Sequence, residues 1–493
     1  MIVADACGLV PTRDLVAQPL ERMIADCANA MAGGDRLCSL FGRACAGDLL
    51  VTAILQQSRH GFAVLRGRAP AGSRYPSLTP QFPAAHLVER ELFEQSGLTP
   101  DGHPWLKPLR FDGAQQGRMH TYPFFSVRGH DVHEVGVGPI HAGVIEPGHF
   151  RFMCHGERVL HLEIQLGYQH RGVETLLLQR PVRSLTPLVE CIAGDSSIAY
   201  AWGHCTAIEA LSGATLAPEA ERVRGVALEL ERIAMHLATL AGLATDIAFL
   251  QGGSSYGRLR TAIINASMRS CGSRFGRGWL RPGGVRCGVD DLRRQDLLDT
   301  LAAFAHDIAE VNALMLGARS VRSRFRGTGK LSAKAARELG LVGLAARASG
   351  VAIDARADLA PMPYAERPLA VLVEEDGDCL ARARLRMREI DESVRWLQQL
   401  LAAPAGVLAD RASLAPIGPL RGDAIAIAMH EGCRGQVLHA LETASDGTLL
   451  RYKVADPSAS NWLGLALAMR DNDISDFPIC NKSFDLSYCG NDL

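Results

Sequence analysis

The sequence of 493 residues contains 13 cysteines but no C-x-x-C pair. Zinc ribbons and ferredoxin-type iron–sulfur sites bind their metals through such pairs, so the chain encodes neither kind of site. The cysteines are scattered and odd in number, which is typical of buried free thiols in a reducing cytosol. We therefore expect no disulfide framework.

Long apolar runs and an excess of one charge are also absent. No stretch is apolar enough to span a membrane, and residues 1–33 carry charges where a signal peptide would be apolar. The formal net charge is −1, and without a basic stripe we expect no nucleic-acid partner. Arginine supplies most of the positive charge, and because no cluster stands out, we interpret it as a composition bias.

Two domains are predicted. Residues 1–118 contain short apolar runs broken by glycine and proline, an amphipathic helix at 84–95, and a linker at 112–118, which is typical of a small α/β domain. Residues 119–493 begin and end with strand-like segments, and long helical stretches lie between them. The sequence thus predicts an α+β protein: a small N-terminal α/β domain followed by a large, mainly helical domain with peripheral β-strands.

Within the second domain, a β-hairpin turn is predicted at Gly156, between two alternating runs. Apolar residues at three- and four-residue steps predict a long helix at 218–250. Further helices are predicted at 290–317 and 370–402. No internal repeat is present.

A polar stripe runs beside the apolar stripe of the first long helix. Glu229, Arg232 and His236 follow one another at i, i+3 and i+7, so they share one helix face. The pattern predicts an ion-pair network between helices, which would also be able to conduct protons.

Two motifs have metal-ligand spacing without metal ligands. The stretch DFPICNKSFDLSYCGNDL follows D-x-P-x-x-x-x-S-x-D-P-C-x-x-C at Asp476, Pro478, Ser483 and Asp485, but Ser487 and Gly490 stand at the cysteine positions. The earlier stretch ECIAGDSSIAY matches E-R-x-C-G-x-C-S, with Ala193 and Ser196 at the cysteine positions. A metal ion bound at such cysteine pairs is held by thiolates, and none of these four residues supplies one.

Together with GPIHAGVIEPGHFRF, LGYQHRGVE, RPGGV and EGCRG, these motifs resemble two related families. One is the large subunit of membrane-bound group 4 nickel–iron hydrogenases, including formate hydrogenlyase, and the other is the forty-nine-kilodalton subunit of respiratory complex I. Residues 1–118 resemble the thirty-kilodalton subunit of complex I through RYPSLTPQFPAAHLVERELFEQSGLTPDGHP. The resemblance implies a hydrogenase large subunit-like fold for residues 119–493.

The resemblance also implies site residues. Glu146 falls where hydrogenases pass protons to the metal, in a loop that would bury it. His141 and His149 lie on the same loop, where a histidine of complex I meets the quinone headgroup; the loop length leaves open which of the two corresponds. Asp246 matches an aspartate that contacts that histidine, and Arg434 matches the arginine region over the metal pocket.

Other ancestral residues are missing. The tyrosine that pairs with the complex I histidine falls on Gly194, and its aspartate neighbour falls on Ala193. Asp195 and Ser196 bring polar groups to the same turn, where they either line a pocket or cap the following helix. The nearby cysteines lack the spacing to replace the lost ligands; they are Cys191, Cys205, Cys480 and Cys489.

The resemblance implies a cytoplasmic subunit that partner subunits hold on the inner face of the cell membrane. The implied partners are an iron–sulfur small subunit carrying 4Fe–4S clusters and membrane subunits of the antiporter-like and quinone-site types. We expect no cofactor bound stoichiometrically by this chain, no nickel–iron centre, and a quinone as a possible acceptor. NAD-linked activity would belong to the assembled complex, since no glycine-rich dinucleotide loop is present.

Three functions stay open at this point. The first is an oxidoreductase subunit that takes electrons from the iron–sulfur partner to quinone or a small acceptor. The second is a non-catalytic scaffold of such a complex. The third, a nickel–iron hydrogenase producing dihydrogen, is disfavoured by the lost cysteine pairs.

Overall fold

The computed structural model describes residues 2–4, 8–57, 61–112, 118–127, 129, 131–143, 145–404 and 406–493. The elements of its N-terminal part are β1 (Ile2–Ala4), β2 (Leu9–Pro11), β3 (Gln18–Pro19), α1 (Leu20–Ala32), β4 (Arg36–Cys45), β5 (Asp48–Gln57), β6 (Gly61–Pro70), β7 (Arg74–Pro76), α2 (His86–Ser96) and β8 (Thr99–Asp101). The strands β1, β6, β5 and β4 form a sheet in that order, with β3 beside β6. The helix predicted at 84–95 is confirmed as α2.

The sheet is buried on both faces, which explains the nearly unbroken apolar run of β5. One face packs against α1 and α2 through Val51, Ala53 and Leu55. The other packs against the second part of the chain, with Ile54 in the same apolar cluster as Ile425. The N-terminal part is thus fixed to the remainder by a shared core, and its predicted boundary at residue 118 stays a prediction.

The second part consists mainly of helices. Its elements are β9 (Val132–Val137), β10 (His149–His155), β11 (Arg158–Gln165), α3 (Val173–Leu178), α4 (Leu185–Val189), α5 (Ser197–Ser212), α6 (Pro218–Asp246), α7 (Leu250–Cys271), β12 (Leu280–Arg281), β13 (Gly284–Val285), α8 (Asp291–Gly317), α9 (Arg319–Phe325), α10 (Ala333–Glu338), α11 (Gly343–Arg347), α12 (Ala355–Asp358), α13 (Met362–Glu366), α14 (Cys379–Leu401), β14 (Ser413–Leu414), β15 (Ala424–Glu431), β16 (Gln436–Thr443), β17 (Leu449–Ala455), α15 (Pro457–Ala468), α16 (Phe477–Phe484) and α17 (Tyr488–Asp492). The predicted α+β class is confirmed. Among the described residues, no helix is both long and apolar enough to cross a membrane.

Four long helices, α6, α7, α8 and α14, pack side by side. The helices α7 and α8 run antiparallel, since Tyr256 Oη donates to Asn312 Oδ1 (2.9 Å) and Arg269 Nε lies 2.8 Å from Asp296 Oδ2. The helices predicted at 218–250 and 290–317 are confirmed. The third, predicted from residue 370, begins at Cys379 because the Asp378 carboxylate accepts a hydrogen bond from the Ala381 N–H (2.8 Å) and caps the helix there.

Small sheets surround the bundle. The predicted hairpin is formed by β10 and β11, and Gly156 adopts φ +58° at its turn. The strands β17, β16, β15 and β2 form another sheet, in which Val10 pairs with Ile425. A strand from the N-terminal part therefore completes a sheet of the C-terminal part.

A buried ionic contact also joins the two parts. Glu91 on α2 accepts hydrogen bonds from Lys453 Nζ on β17 (2.6 Å) and from Arg110, and Lys453 also contacts Glu174 on α3 (2.9 Å). Burial opposes ionisation of Glu91, but the two cations outweigh it and lower its pKa to about 2.

The depressed pKa of Glu91 predicts how acid weakens the contact. Its contribution is fully present above the ordinary glutamate pKa of about 4.3 and is lost as the pH falls toward 2, because the folded state then takes up the proton. We expect Glu91→Gln to flatten the dependence of the melting temperature on pH in this window, measured by scanning calorimetry. The exposed Glu21→Gln is the control and should leave the slope unchanged.

Candidate functional site

The last helix holds the two positions of the closing motif. Ser487 caps α17, since its hydroxyl accepts a hydrogen bond from the Gly490 N–H (2.9 Å), and its own N–H donates to Ser458 Oγ (2.8 Å). The hydroxyl at this cysteine position is thus committed to the helix.

The place of a side chain at Gly490 is occupied by a carboxylate. A Cβ atom built on Gly490 would lie 2.3 Å from Asp456 Oδ2. Asp456 is buried, accepts a hydrogen bond from the Tyr200 hydroxyl, and accepts another from the Ser458 N–H (2.7 Å). Burial raises the pKa of Asp456. A protonatable Tyr200–Asp456 pair therefore stands where the fourth thiolate would be.

The other two positions lie under an arginine. Ala193 is buried, and Ser196 Oγ lies 3.3 Å from Asp195 Oδ1 and 3.7 Å from Cys433 Sγ. Arg434 donates to both carboxylate oxygens of Asp195 (2.9 and 2.7 Å) and to Ser196 Oγ (3.3 Å). Sequence reasoning named no partner for Arg434, and in the structure its partner is Asp195.

Arg434 and Arg171 hold the two motifs together. Arg434 Nε donates to the carbonyl of Asp485, and its guanidinium lies 3.6 Å from the Asp485 carboxylate. Arg171 donates to the carbonyls of Ile192 (2.9 Å) and Cys489 (2.8 Å). Through these contacts the turn at 190–196 and the C-terminal helix meet at one site.

The residues at this site do not fit nickel and iron. None of the four positions carries a thiolate, and in the ranges that the structure describes no cluster of three or more His, Cys, Asp or Glu side chains suits a metal ion. The nearby cysteines do not converge: Cys191 is exposed, Cys205 is buried in α5, and Cys480 contacts Cys379. Of these four cysteines Cys489 does lie in the site, and burial together with Glu146 raises its pKa to about 12.

Glu146 lies at the edge of this site. It is half-buried rather than buried, and its carboxylate accepts a hydrogen bond from the Tyr488 N–H (3.1 Å) at the start of α17. The structure thus places the predicted proton-relay residue against the helix that carries Ser487 and Gly490.

The two loop histidines form hydrogen bonds within their own loop. His141 Nε2 lies 2.8 Å from the carbonyl oxygen of Gly148, and His149 Nδ1 lies 3.1 Å from that of Gly138. The His149 ring also packs edge-on against Phe124. Their observed contacts hold the loop in shape, and the quinone role stays a prediction.

Among the described residues, Asp246 has no hydrogen bond or ion pair with either histidine. It is the last residue of α6 and is exposed. Partial desolvation raises the pKa of Asp246, and the charge of Lys482 opposes that shift. Lys482 in turn donates to Asp485 (2.8 Å), which faces Arg434.

The capping role considered for Asp195 and Ser196 is wrong. The Ser196 side chain makes no capping hydrogen bond to α5. Glu231, from α6, caps that helix instead by accepting from the N–H groups of Ile198 (2.6 Å) and Ala199 (3.1 Å). Burial raises the pKa of Glu231 to about 8. Sequence reasoning missed it because the partner N–H groups lie more than thirty residues away in the chain.

The ion network predicted on α6 is confirmed. Glu389 on α14 accepts hydrogen bonds from Arg232 (2.6 Å) and Arg347 (2.9 Å) and lies 3.1 Å from His236 Nε2. All four side chains are buried. Arg232 also donates to the carbonyl of Gly432, so the network supports the turn that carries Arg434.

Comparisons with known proteins agree with this architecture. Residues 251–417 match the family model for the 49 Kd subunit of respiratory-chain NADH dehydrogenase, and residues 24–123 match that for its 30 Kd subunit. Formate hydrogenlyase subunit 5 of Escherichia coli K12 is 29% identical over 446 residues, covering 84% of this chain and 76% of that protein. A carbon monoxide-induced hydrogenase of Rhodospirillum rubrum is 30% identical, covering 71% of this chain and 96% of that protein.

A solved structure shows the same fold. A chain of the membrane-bound sulfane sulfur reductase, an archaeal respiratory membrane complex, superimposes with a TM-score of 0.68 at 23% identity, covering 74% of this chain and 99% of that one. The chain therefore belongs to the oxidoreductase family of membrane-bound hydrogenase large subunits and complex I 49 Kd subunits, in the form fused to a 30 Kd-like domain and without the nickel-ligand cysteines.

Proposed function

We propose that this chain is the acceptor-reducing subunit of a membrane-associated, complex-I-like oxidoreductase that works without nickel. Electrons would arrive from the 4Fe–4S clusters of an iron–sulfur small subunit and pass to a quinone or a small acceptor. Antiporter-like and quinone-site-type membrane subunits would hold the chain at the inner face of the membrane. The relatives include a formate hydrogenlyase and a membrane-bound hydrogenase, which supports an assembly of this kind.

One observation carries the proposal. Beside the lost thiolate positions lie a protonatable pair and a cation, Tyr200–Asp456 and Arg434. Reduction of a quinone consumes two electrons and two protons and passes through negative charge on oxygen. A buried carboxyl with a raised pKa is suited to donate such protons, and a guanidinium is suited to stabilise the charge. Glu146 would pass protons from the solvent to Asp456 after each donation.

The test uses the complex purified with its native partners and driven by a low-potential dye. We expect Asp456→Asn to lower quinone reduction by about 100-fold, the usual contribution of a positioned proton donor, and Glu146→Gln to lower it as well. The exposed Asp446→Asn is the matched control and should keep full turnover. Elemental analysis of the same complex should find iron and no stoichiometric nickel.

A scaffold role is the second candidate, because both ancestral sites are altered. It predicts an assembled, iron-loaded complex whose dye-driven turnover is absent or is indifferent to Asp456→Asn. Asp246→Ala separates two locations of the acceptor: loss of turnover in this variant with Asp456→Asn fully active would move the acceptor to the end of α6 that carries Asp246. Stoichiometric nickel would restore the hydrogenase alternative.

A further inference from the structure

A cluster of basic residues follows the third helix of the bundle. Residues 311–337 contain no acidic residue, and the interpretation of arginine as unclustered is wrong for this segment. The basic residues in it are Arg319, Arg322, Arg324, Arg326, Lys330, Lys334 and Arg337.

The short helix α9 turns most of these cations outward. Val321 and Phe325 form its buried face, whereas Arg319 and Arg322 are exposed at i and i+3, and Arg326 is exposed directly after the helix. Two cations of the segment are paired, Arg324 with Asp476 (3.1 Å) and Lys334 with Glu338 (3.8 Å). Within the described ranges, Arg319, Arg322, Arg326 and Lys330 have no ion-pair partner.

The same end of the bundle exposes apolar side chains. Because α7 and α8 are antiparallel, the first turn of α7 and the last turn of α8 lie at one end, directly before α9. Leu250 in the first of these turns is 66% exposed, and Leu314 in the second is 67% exposed. We call Leu250, Leu314, Arg319, Arg322, Arg326 and Lys330 the basic end patch.

We propose that the basic end patch binds the anionic headgroups of a phospholipid membrane directly. Clusters of four or more cations attract anionic lipid surfaces, and leucines beside them enter the boundary between headgroups and acyl chains. An acidic protein partner would satisfy the charges but would leave no reason for two widely exposed leucines beside them. The sequence predicted membrane attachment through partner subunits only, and this surface gives the chain a contact of its own.

The proposal is tested with the full chain, alone and in its purified complex, by cosedimentation with phosphatidylcholine vesicles that contain or lack phosphatidylglycerol. We expect binding only to the anionic vesicles and its loss at high salt, because exposed charges are screened. The triple variant Arg319→Gln/Arg322→Gln/Arg326→Gln should weaken binding by about 100-fold. Leu250→Ser/Leu314→Ser should weaken it without changing its salt dependence.

The control triple variant Arg22→Gln/Arg180→Gln/Arg183→Gln removes the same charge from exposed positions elsewhere. It should bind anionic vesicles like the wild type. Neither triple variant should change the melting temperature of the chain. Equal weakening by the two triples, or equal binding to neutral and anionic vesicles, would overturn the proposal. So would a patch variant that keeps vesicle binding and instead loses an acidic subunit from the complex. Quinone reduction in detergent should be normal in the variant Arg319→Gln/Arg322→Gln/Arg326→Gln. A failure of the membrane proposal can thus be told apart from a failure of the proposed redox site.

Discussion

Replacing Glu389 by glutamine is expected to destabilise the chain by about 3–5 kcal/mol, the cost of breaking a buried ion pair by removing one partner. Glu389 is 3% exposed and lies between Arg232 and Arg347, both fully buried. These cations lower its pKa well below the ordinary value despite the burial that opposes its charge. The neutral amide would remove the one carboxylate that both guanidiniums share in the core, leaving Arg347 with Glu431 and Arg232 with Glu229.

The measurement is the shift of the thermal and urea unfolding transitions of the full chain. Glu310→Gln, which removes a carboxylate from an exposed contact with His306, is the matched control and should change stability by less than about 0.5 kcal/mol. Adding Arg347→Met to Glu389→Gln should cost less than the sum of the two single changes, because the pair shares one interaction. A cost of Glu389→Gln no larger than that of the control would contradict this account.

This network also marks how far the sequence could predict the structure. Glu229, Arg232 and His236 are visible as a stripe because helical spacing is local. Their side-chain partners are supplied by three other helices, α12 through Arg356, α13 through Tyr364 and α14 through Glu389, and no local spacing relates those residues to α6. The pattern therefore predicted that a network exists but not which residues complete it.

The helices show the same limit. The strong apolar stripe made α6 predictable, whereas α7 was missed because Gly252, Gly253 and Gly257 interrupt its pattern. Gly252 makes room for a close local contact, since a Cβ there would lie 2.4 Å from the ring of Phe249 at the N-cap. Packing of α7 against α6 and α8 outweighs the low helix propensity of glycine.

At the candidate site, the motifs predicted what is missing but not what replaces it. Asp456 precedes Pro457 in the pattern of a helix N-cap, and it does cap α15 through the Ser458 N–H. Its contact with Tyr200 and its place beside Gly490 depend on residues far apart in the chain, so the sequence did not indicate them. The predicted roles of Glu146, His141, His149, Asp246 and Arg434 stay predictions.

The replacement has a measurable consequence: Gly490→Cys is expected to destabilise the chain by about 2–6 kcal/mol. The new Cβ would lie 2.3 Å from Asp456 Oδ2, so the carboxylate must move. Overfilling a packed site costs about 1–3 kcal/mol, and leaving the buried Tyr200 hydroxyl without its acceptor adds about 1–3 kcal/mol. Gly257→Cys is the control, since this helical glycine has open space around it and no positive φ; it should be neutral or slightly stabilising.

A double-mutant cycle separates this clash from a general intolerance of Gly490. If Asp456 is the obstacle, Asp456→Ala/Gly490→Cys should be more stable than the sum of its single changes by at least about 1 kcal/mol. The chain would then lack both the metal ligands and the space that their side chains need. Restoring all four cysteines would bind no stoichiometric nickel while Asp456 is present. A Gly490→Cys chain as stable as the wild type, with no coupling to Asp456, would show instead that the carboxylate yields freely and that only the thiolates are missing.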